Sequence, residues 1–240
     1  MTTISIRPMT SSDLDVVVQQ HLEHFPTGFF ARLGSQYLRT YYRTYLDSSD
    51  AAAAVAADRD GRTVGFAVGV IDPRAHRVHL LETHRSRLAV AGIAALVTRP
   101  HLWPRFVQTR LVPYTRKLFA PPDRVGPGEG QRIAVLQHIV VDPSAEGRGV
   151  GTALLEFFVD AAATARREQI ILVTRTGGPA EDFYVARGWT RREPHCTMDG
   201  TWLTAFSLCL GPNRSEAQDE GPAHQHRDDD APYEKEDRTS

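Results

Sequence analysis

The sequence predicts an α/β domain with one mixed sheet, and three observations carry that expectation. β-rich and helical runs interleave in the order β, α, α, β, β, an insertion, then β, α, β, α, β, β. The apolar run "RIAVLQHIVV" leads through a glycine-studded turn and a helical stretch to "QIILVT", which makes one parallel crossover at the centre. The chain has 240 residues, is 41% hydrophobic and carries a formal charge of -1, so it can bury a proper core as one domain.

"TISIRPM" reads as a short strand, and "SSDLDVVVQQHLEHF" as a helix capped by Ser12 or Asp13. In "FFARLGSQYLRTYYRTYLDS" the residues Phe29, Leu33, Tyr37, Leu38, Tyr41, Tyr42 and Tyr45 recur near helical spacing. This aromatic stripe reads as core before it reads as a cofactor box. "AAAAVAADRDGRTVGFAVGVID" gives two strands joined by a turn over Asp58 to Gly61, with Gly65 and Gly69 marking close contacts in the second. Residues 74–130 interrupt this order. "LAVAGIAALV" is helical, Pro100, Pro104 and Pro113 break the next helical run, and the stretch reads as a helical insertion ahead of the central strand. Further on, "PAEDFYVARGW" gives a short helix ending at Gly188, and "TWLTAFSLCL" a last strand. The domain is expected to occupy residues 1–210. Residues 211–240 are polar and charged, with too little apolar surface to repay ordering, and are expected to be a disordered tail.

Composition narrows the class further. Cys196 and Cys209 lack metal-ligand spacing, and of His195, His224 and His226 the last two sit in the tail without a rigid frame, so no metal site is expected. The first residues, "MTTISIRPMTSSDLD", lack the charged start and apolar core of an export signal; a cytoplasmic location is expected. No nucleic-acid partner is expected.

The stretch "VDPSAEGRGVGTALLEFF" carries chemistry. Gly147, Gly149 and Gly151 precede an apolar helical run, although glycine beside a helix costs up to about 1 kcal/mol against alanine. Amides at a helix start carry partial positive charge, and without side chains in the way they suit a pyrophosphate. A Walker loop is absent because no lysine precedes Thr152, and the early β-α-β setting of a Rossmann fingerprint is missing.

"HIVVDPSAEGRGVGTALLEFFVDAA", "ILVT" and "FYVARGW" together resemble the acetyl-coenzyme-A-binding core of the GNAT family of N-acetyltransferases, most strongly over residues 136–192. The resemblance implies the GNAT acyltransferase fold, acetyl-CoA as cosubstrate and an amine acceptor. The family's Q/R-x-x-G-x-G/A pattern falls on Glu146 to Gly151. Glu146 departs from it and Arg148 offsets that charge. The pantetheine arm is then expected to pair like an extra strand with Ile139, Val140 and Val141, and the amides of Arg148, Gly149, Val150, Gly151 and Thr152 to hold the pyrophosphate. Gly177 stands where the family places an asparagine.

Transfer to a neutral amine needs an oxyanion donor and an acid for the leaving thiolate. Tyr184 occupies the family's general-acid position, and its alternative is packing. Gln137 and His138 lie on the central strand, where alternation lets one of them face the acceptor. His138 is the candidate base, with a core role as its alternative, and Glu82 and His84 are weaker candidates. The expected activity is N-acetylation by direct transfer in a ternary complex, to a small molecule or amino sugar. Protein acetylation and acyl-CoA sensing without turnover are the alternatives. The insertion is basic from Arg74 to Arg124 against Glu82 and Asp123. It admits a phosphate-bearing acceptor, peripheral contact with anionic lipid, or a solvated structural face.

Overall fold

The computed structural model describes residues 4–98, 132–197 and 200–211. Strand β1 (Ser5–Pro8) is followed by a 3-10 turn (Ser11–Asp13) and helices α1 (Leu14–His24), α2 (Phe29–Leu33) and α3 (Ser35–Leu46). Strands β2 (Ala51–Ala57) and β3 (Thr63–Val70) form the expected hairpin. At its turn, the Asp58 carboxylate accepts from the amides of Asp60 and Arg62. Helix α4 (Pro73–His79), a π-helical turn (Leu80–His84) and α5 (Arg85–Thr98) open the insertion. Its remainder lies outside the described residues. The central crossover is built from β4 (Ile133–Val141), α6 (Val150–Thr164) and β5 (Gln169–Arg175). Then come α7 (Pro179–Val185), the short β6 (Thr190–Arg191) and β7 (His195–Cys196), and β8 (Trp202–Cys209).

The strands form one sheet in the order β1-β2-β3-β4-β5-β8-β6, with β7 paired to β8. Only β4 and β5 run parallel among the described pairs, as a single crossover requires. The sheet has a core on each face. On one, Leu154, Leu155 and Phe158 of α6 meet Ala134, Leu136, Ile170, Leu172 and Phe206. On the other, Leu14, Val17, Leu38, Tyr41 and Tyr42 of α1 and α3 meet Val55, Phe66, Val68 and Val140. The stripe on α3 is therefore core, as its periodicity indicates; the Phe29 side chain lies outside the described part.

One local expectation is corrected and another refined. The helical run from Phe29 to Leu46 is broken at Gly34, whose φ of 92° leaves the helical region and separates α2 from α3. Periodicity alone does not register such a break, because the apolar spacing continues across it. At the start of α1 the cap position belongs to Asp13, one of the two residues expected there, though its side chain caps no amide of α1; the 3-10 turn ahead of the helix opens at Thr10. Asp13 sits three residues inside it and accepts from the Thr10 amide at 2.8 Å, a capping-box arrangement, while Arg7 grips the same carboxylate at 2.7 and 2.8 Å.

Contacts group Met1–Leu210 into one unit; of Gly211–Ser240 only Gly211 is described, so the tail expectation lies outside the described residues. Among the described residues no helix is long and apolar enough to cross a membrane, and no three His, Cys, Asp or Glu side chains are grouped to hold a metal. Cys196 and Cys209 are free thiols.

Candidate active site

The site forms where the two parallel strands part. β4 pairs with β5 only from Ile133 to Leu136, against Gln169 to Leu172. Beyond that, β5 stays on β8 through Arg175, and β4 stays on β3 through Val141. The two strands thus leave an opening lined by backbone. The Asp142 amide donates to Val64 O at 2.9 Å, and antiparallel alternation from that bond turns the peptide groups of Val140 toward β3 and those of Ile139 and Val141 into the opening. Val141 O is met there by His24 Nε2 at 3.1 Å. The three residues expected to pair with a cofactor arm are therefore not equivalent. Val140 has its backbone committed to Phe66 and its side chain buried, which leaves Ile139 and the amide of Val141 turned to the opening, with Val141 O already met by His24.

A β-bulge changes the other face of β4. Along β3 the register steps from Val68 to Gly69, while along β4 it steps from His138 to Leu136, so Gln137 is the extra residue. A bulge sets two consecutive side chains on one side. Gln137 Oε1 accordingly lies 2.9 Å from both the Tyr41 and Tyr45 hydroxyls, while the neighbouring His138 ring packs against His21 and Phe25, at 5.0 and 5.6 Å between centroids. This corrects the expectation that only one of the two faces this side: strict alternation fails at the bulge, and both point toward α1 and α3.

Burial sets the protonation of this cluster. His21 is buried, its Nδ1 lies 2.6 Å from the Tyr42 hydroxyl, and desolvation lowers its pKa to about 4. His138 is lowered to about 3, first by desolvation and then by His21, and its Nε2 is buried without a hydrogen-bond partner among the described residues. Both rings are neutral near pH 7. A weak base of this kind can accept a hydrogen bond but holds a proton poorly. Of the weaker candidates, Glu82 is exposed and His84 is buried near Asp47, between α3 and the insertion; neither joins this cluster.

At the mouth of the opening, the glycine turn delivers α6. Gly149 is the residue before the helix, with φ of 79°, a left-handed conformation that a side chain opposes by about 1–2 kcal/mol. Val150, Gly151 and Thr152 begin the helix, so their amides have no intrahelical acceptor. Glu146, Arg148 and Gly149 are exposed at this end. Gly151 packs closely on α7: a Cβ there would lie 3.3 Å from the Phe183 ring.

Tyr184, also on α7, is buried at 4% exposure among Trp189 and Phe206, each 5.6 Å away between centroids. Desolvation raises its pKa to about 12, and among the described residues its hydroxyl has no hydrogen-bond partner. It therefore keeps its proton across the physiological range. Sequence reasoning missed Arg187, which reaches back from the end of α7 to Thr152; the signal available was a lone arginine inside "FYVARGW". A separate cavity of about 820 Å³ lies between α3 and α5, with Arg39, Arg43 and Arg87 in its wall, and includes none of the strand-opening or glycine-turn residues.

A family profile described as "Acetyltransferase (GNAT) domain" matches residues 120–191. No curated protein matches the chain. Among solved structures, NAA60 of Arabidopsis thaliana in complex with a bisubstrate analogue is similar over 87% of this chain and 100% of its own, at 15% identity and a TM-score of 0.55. A GCN5-related N-acetyltransferase from Kribbella flavida covers 86% and 98%, at 17% identity and a TM-score of 0.54. The structure of yncA from Salmonella typhimurium with its cofactor acetyl-CoA covers 94% and 98%, at 12% identity and a TM-score of 0.54. At such identities the likeness is one of fold.

Proposed function

We propose, from the premise that the chain is a GNAT-type acetyltransferase, that it moves an acetyl group from acetyl-CoA to a primary amine of a small molecule or amino sugar, by direct transfer in a ternary complex. The observation that carries this reading is the opening between β4 and β5. It turns backbone groups of Ile139 and Val141 outward beside the first turn of α6, where a Cβ at Gly151 would lie 3.5 Å from Val141 Cγ2. In this reading the pantetheine arm pairs with Ile139 and Val141, and the amides of Gly149, Val150, Gly151 and Thr152 face the pyrophosphate, with Arg148 beside them. The Ile139 amide, turned into the opening, is the donor for the oxyanion of the tetrahedral intermediate. Tyr184, held protonated by burial, supplies the proton to the leaving thiolate.

On the acceptor side, Gln137 and His138 stand together because of the bulge. With its pKa near 3, His138 serves better as a hydrogen-bond acceptor that orients the amine than as a proton store, and the ammonium proton leaves through water. The insertion, whose basic residues admit a phosphate-bearing acceptor, is the proposed wall of the acceptor site; the cavity by Arg39, Arg43 and Arg87 lies apart from the strand opening and is not part of that reading.

One observation favours a second reading, acyl-CoA sensing without turnover: burial removes basicity from His138, the candidate base. The test is free-thiol release from acetyl-CoA over a panel of small amines, amino sugars and peptide α-amines, beside calorimetry of acetyl-CoA binding. Release with a small amine is the expected result. Release with peptides alone selects protein acetylation, binding with no release selects sensing, and no binding overturns the cofactor reading.

A further inference from the structure

Across α6 and α7, Arg187 and Thr152 form a contact that neither the strand opening nor the glycine turn requires. The Arg187 guanidinium donates from Nε and Nη2 to Thr152 Oγ1, at 3.1 and 2.5 Å, and from Nη1 to Phe183 O at 2.8 Å. Its plane lies over the Phe183 ring, 3.7 Å from the centroid. Phe183 is held there because Gly151, one residue before Thr152, has no side chain to keep the ring away. The arginine is therefore fixed by a ring, a carbonyl and a hydroxyl, and it is only partly exposed.

The chemical consequence falls on a single proton. A threonine hydroxyl has two lone pairs and one hydrogen. Arg187 directs two N–H donors at the Thr152 oxygen, so both lone pairs are taken and the hydroxyl can act outward only as a donor. The usual sink for a helical threonine proton is the carbonyl four residues back. Here that residue is Arg148, which lies before the helix and before Gly149, and among the described residues the Thr152 hydroxyl has no acceptor for its hydrogen. The guanidinium also places a positive charge beside the first turn of α6, where the helix already favours an anion, and it lies at the same helix end as the Glu146 carboxylate.

We infer that Arg187 is a positioning residue for acyl-CoA binding: it orients and polarises the Thr152 hydroxyl as a donor to the diphosphate and adds its own charge at that end of α6. This rests on the cofactor reading proposed above. It predicts recognition of the diphosphate in particular, not of the thioester arm, because the contact sits at the helix start and not along β4.

The experiment compares the dissociation constants of acetyl-CoA and of S-acetylpantetheine, which lacks the diphosphate, for the full chain and for Arg187→Gln, Thr152→Val, Thr152→Ser and the Arg187→Gln/Thr152→Val double variant. Thermal melts establish that each variant is folded. The expected result is that Arg187→Gln and Thr152→Val each weaken acetyl-CoA on the order of tenfold, the range of a lost charge-assisted hydrogen bond. Thr152→Ser retains affinity, S-acetylpantetheine is unaffected throughout, and the double variant falls short of the product of the single losses, because the two residues act as one unit. Equal affinity of Arg187→Gln and the parent chain for acetyl-CoA overturns the inference. So does equal weakening of both ligands, which assigns Arg187 to packing of α7. If Arg187→Gln does not fold, Thr152→Val decides: it leaves the arginine on Phe183 and removes only the hydroxyl, and unchanged affinity there overturns the inference. A parent chain that binds no acetyl-CoA instead sinks the cofactor reading itself.

Discussion

Gly69 on β3 lies opposite the bulge of β4, and replacing it by alanine tests the packing that holds α6 to the sheet. A Cβ at this position would lie 2.4 and 2.5 Å from Phe158 Cε2 and Cζ and 2.6 Å from Val135 O. The ring belongs to a side chain 1% exposed at the centre of the α6 core, so it has no free volume to turn into. The carbonyl belongs to β4 and can move only with its strand. Contact needs about 0.8 Å more room than the backbone provides, and overpacking against a carbonyl that cannot turn away falls in the upper part of the usual range, roughly 2–3 kcal/mol. Alanine also narrows the unfolded ensemble, which returns about 0.4–1 kcal/mol, so destabilisation wins. In a domain of this size each kcal/mol lowers Tm by roughly 2–4 °C. Gly69→Ala is therefore expected to melt some 2–10 °C below the parent chain. Differential scanning calorimetry reads this directly, and a variant melting with the parent would refute the close approach of α6 to β3.

Three further outcomes are expected. Tyr184→Phe should lower kcat by roughly 10²–10⁴, the usual contribution of a positioned acid, with little change in the acetyl-CoA dissociation constant; full turnover would assign Tyr184 to packing. Gly149→Val should weaken acetyl-CoA by calorimetry while the chain stays folded, because its Cβ meets nothing within 4 Å and the strain of a positive φ is about 1–2 kcal/mol; unchanged affinity would remove the glycine turn from the site. Asp13 is lowered to about 2, chiefly by the Arg7 hydrogen bonds, so its contribution of roughly 2 kcal/mol is complete above the ordinary value of 3.8 and lost as pH falls through 2. Urea unfolding of Asp13→Asn should accordingly show a deficit at pH 7 that closes toward pH 2, and a gap independent of pH would contradict the Arg7 pairing.

The parts of this molecule legible in the sequence are those set by local geometry. Gly147 and Gly149 announce positive φ ahead of a helix, and "ALLEFF" continues with the spacing of a buried face. The turn into α6 is therefore readable, and with "FYVARGW" it carries the resemblance to the GNAT family. The hairpin at Asp58 to Gly61 is readable for the same reason: its turn bonds join residues no more than four apart.

Other features depend on what the chain meets after it folds. Nothing in "LQHIVV" marks Gln137 as the extra residue of a bulge. The bulge exists only in the register between β3 and β4, strands separated by the whole insertion, and it alone puts Gln137 and His138 on one face. The same holds for His138, whose ordinary pKa suggests a base until His21 and Phe25 pack against its ring and bury its Nε2. Arg187 and Thr152 are thirty-five residues apart, and their bond waits for α7 to pack Phe183 into the space that Gly151 leaves. Backbone conformation is decided by neighbours in sequence, so glycine and helical spacing can be read in advance; protonation and side-chain partners are decided by neighbours in space, which only the packed sheet and its two layers of helices supply.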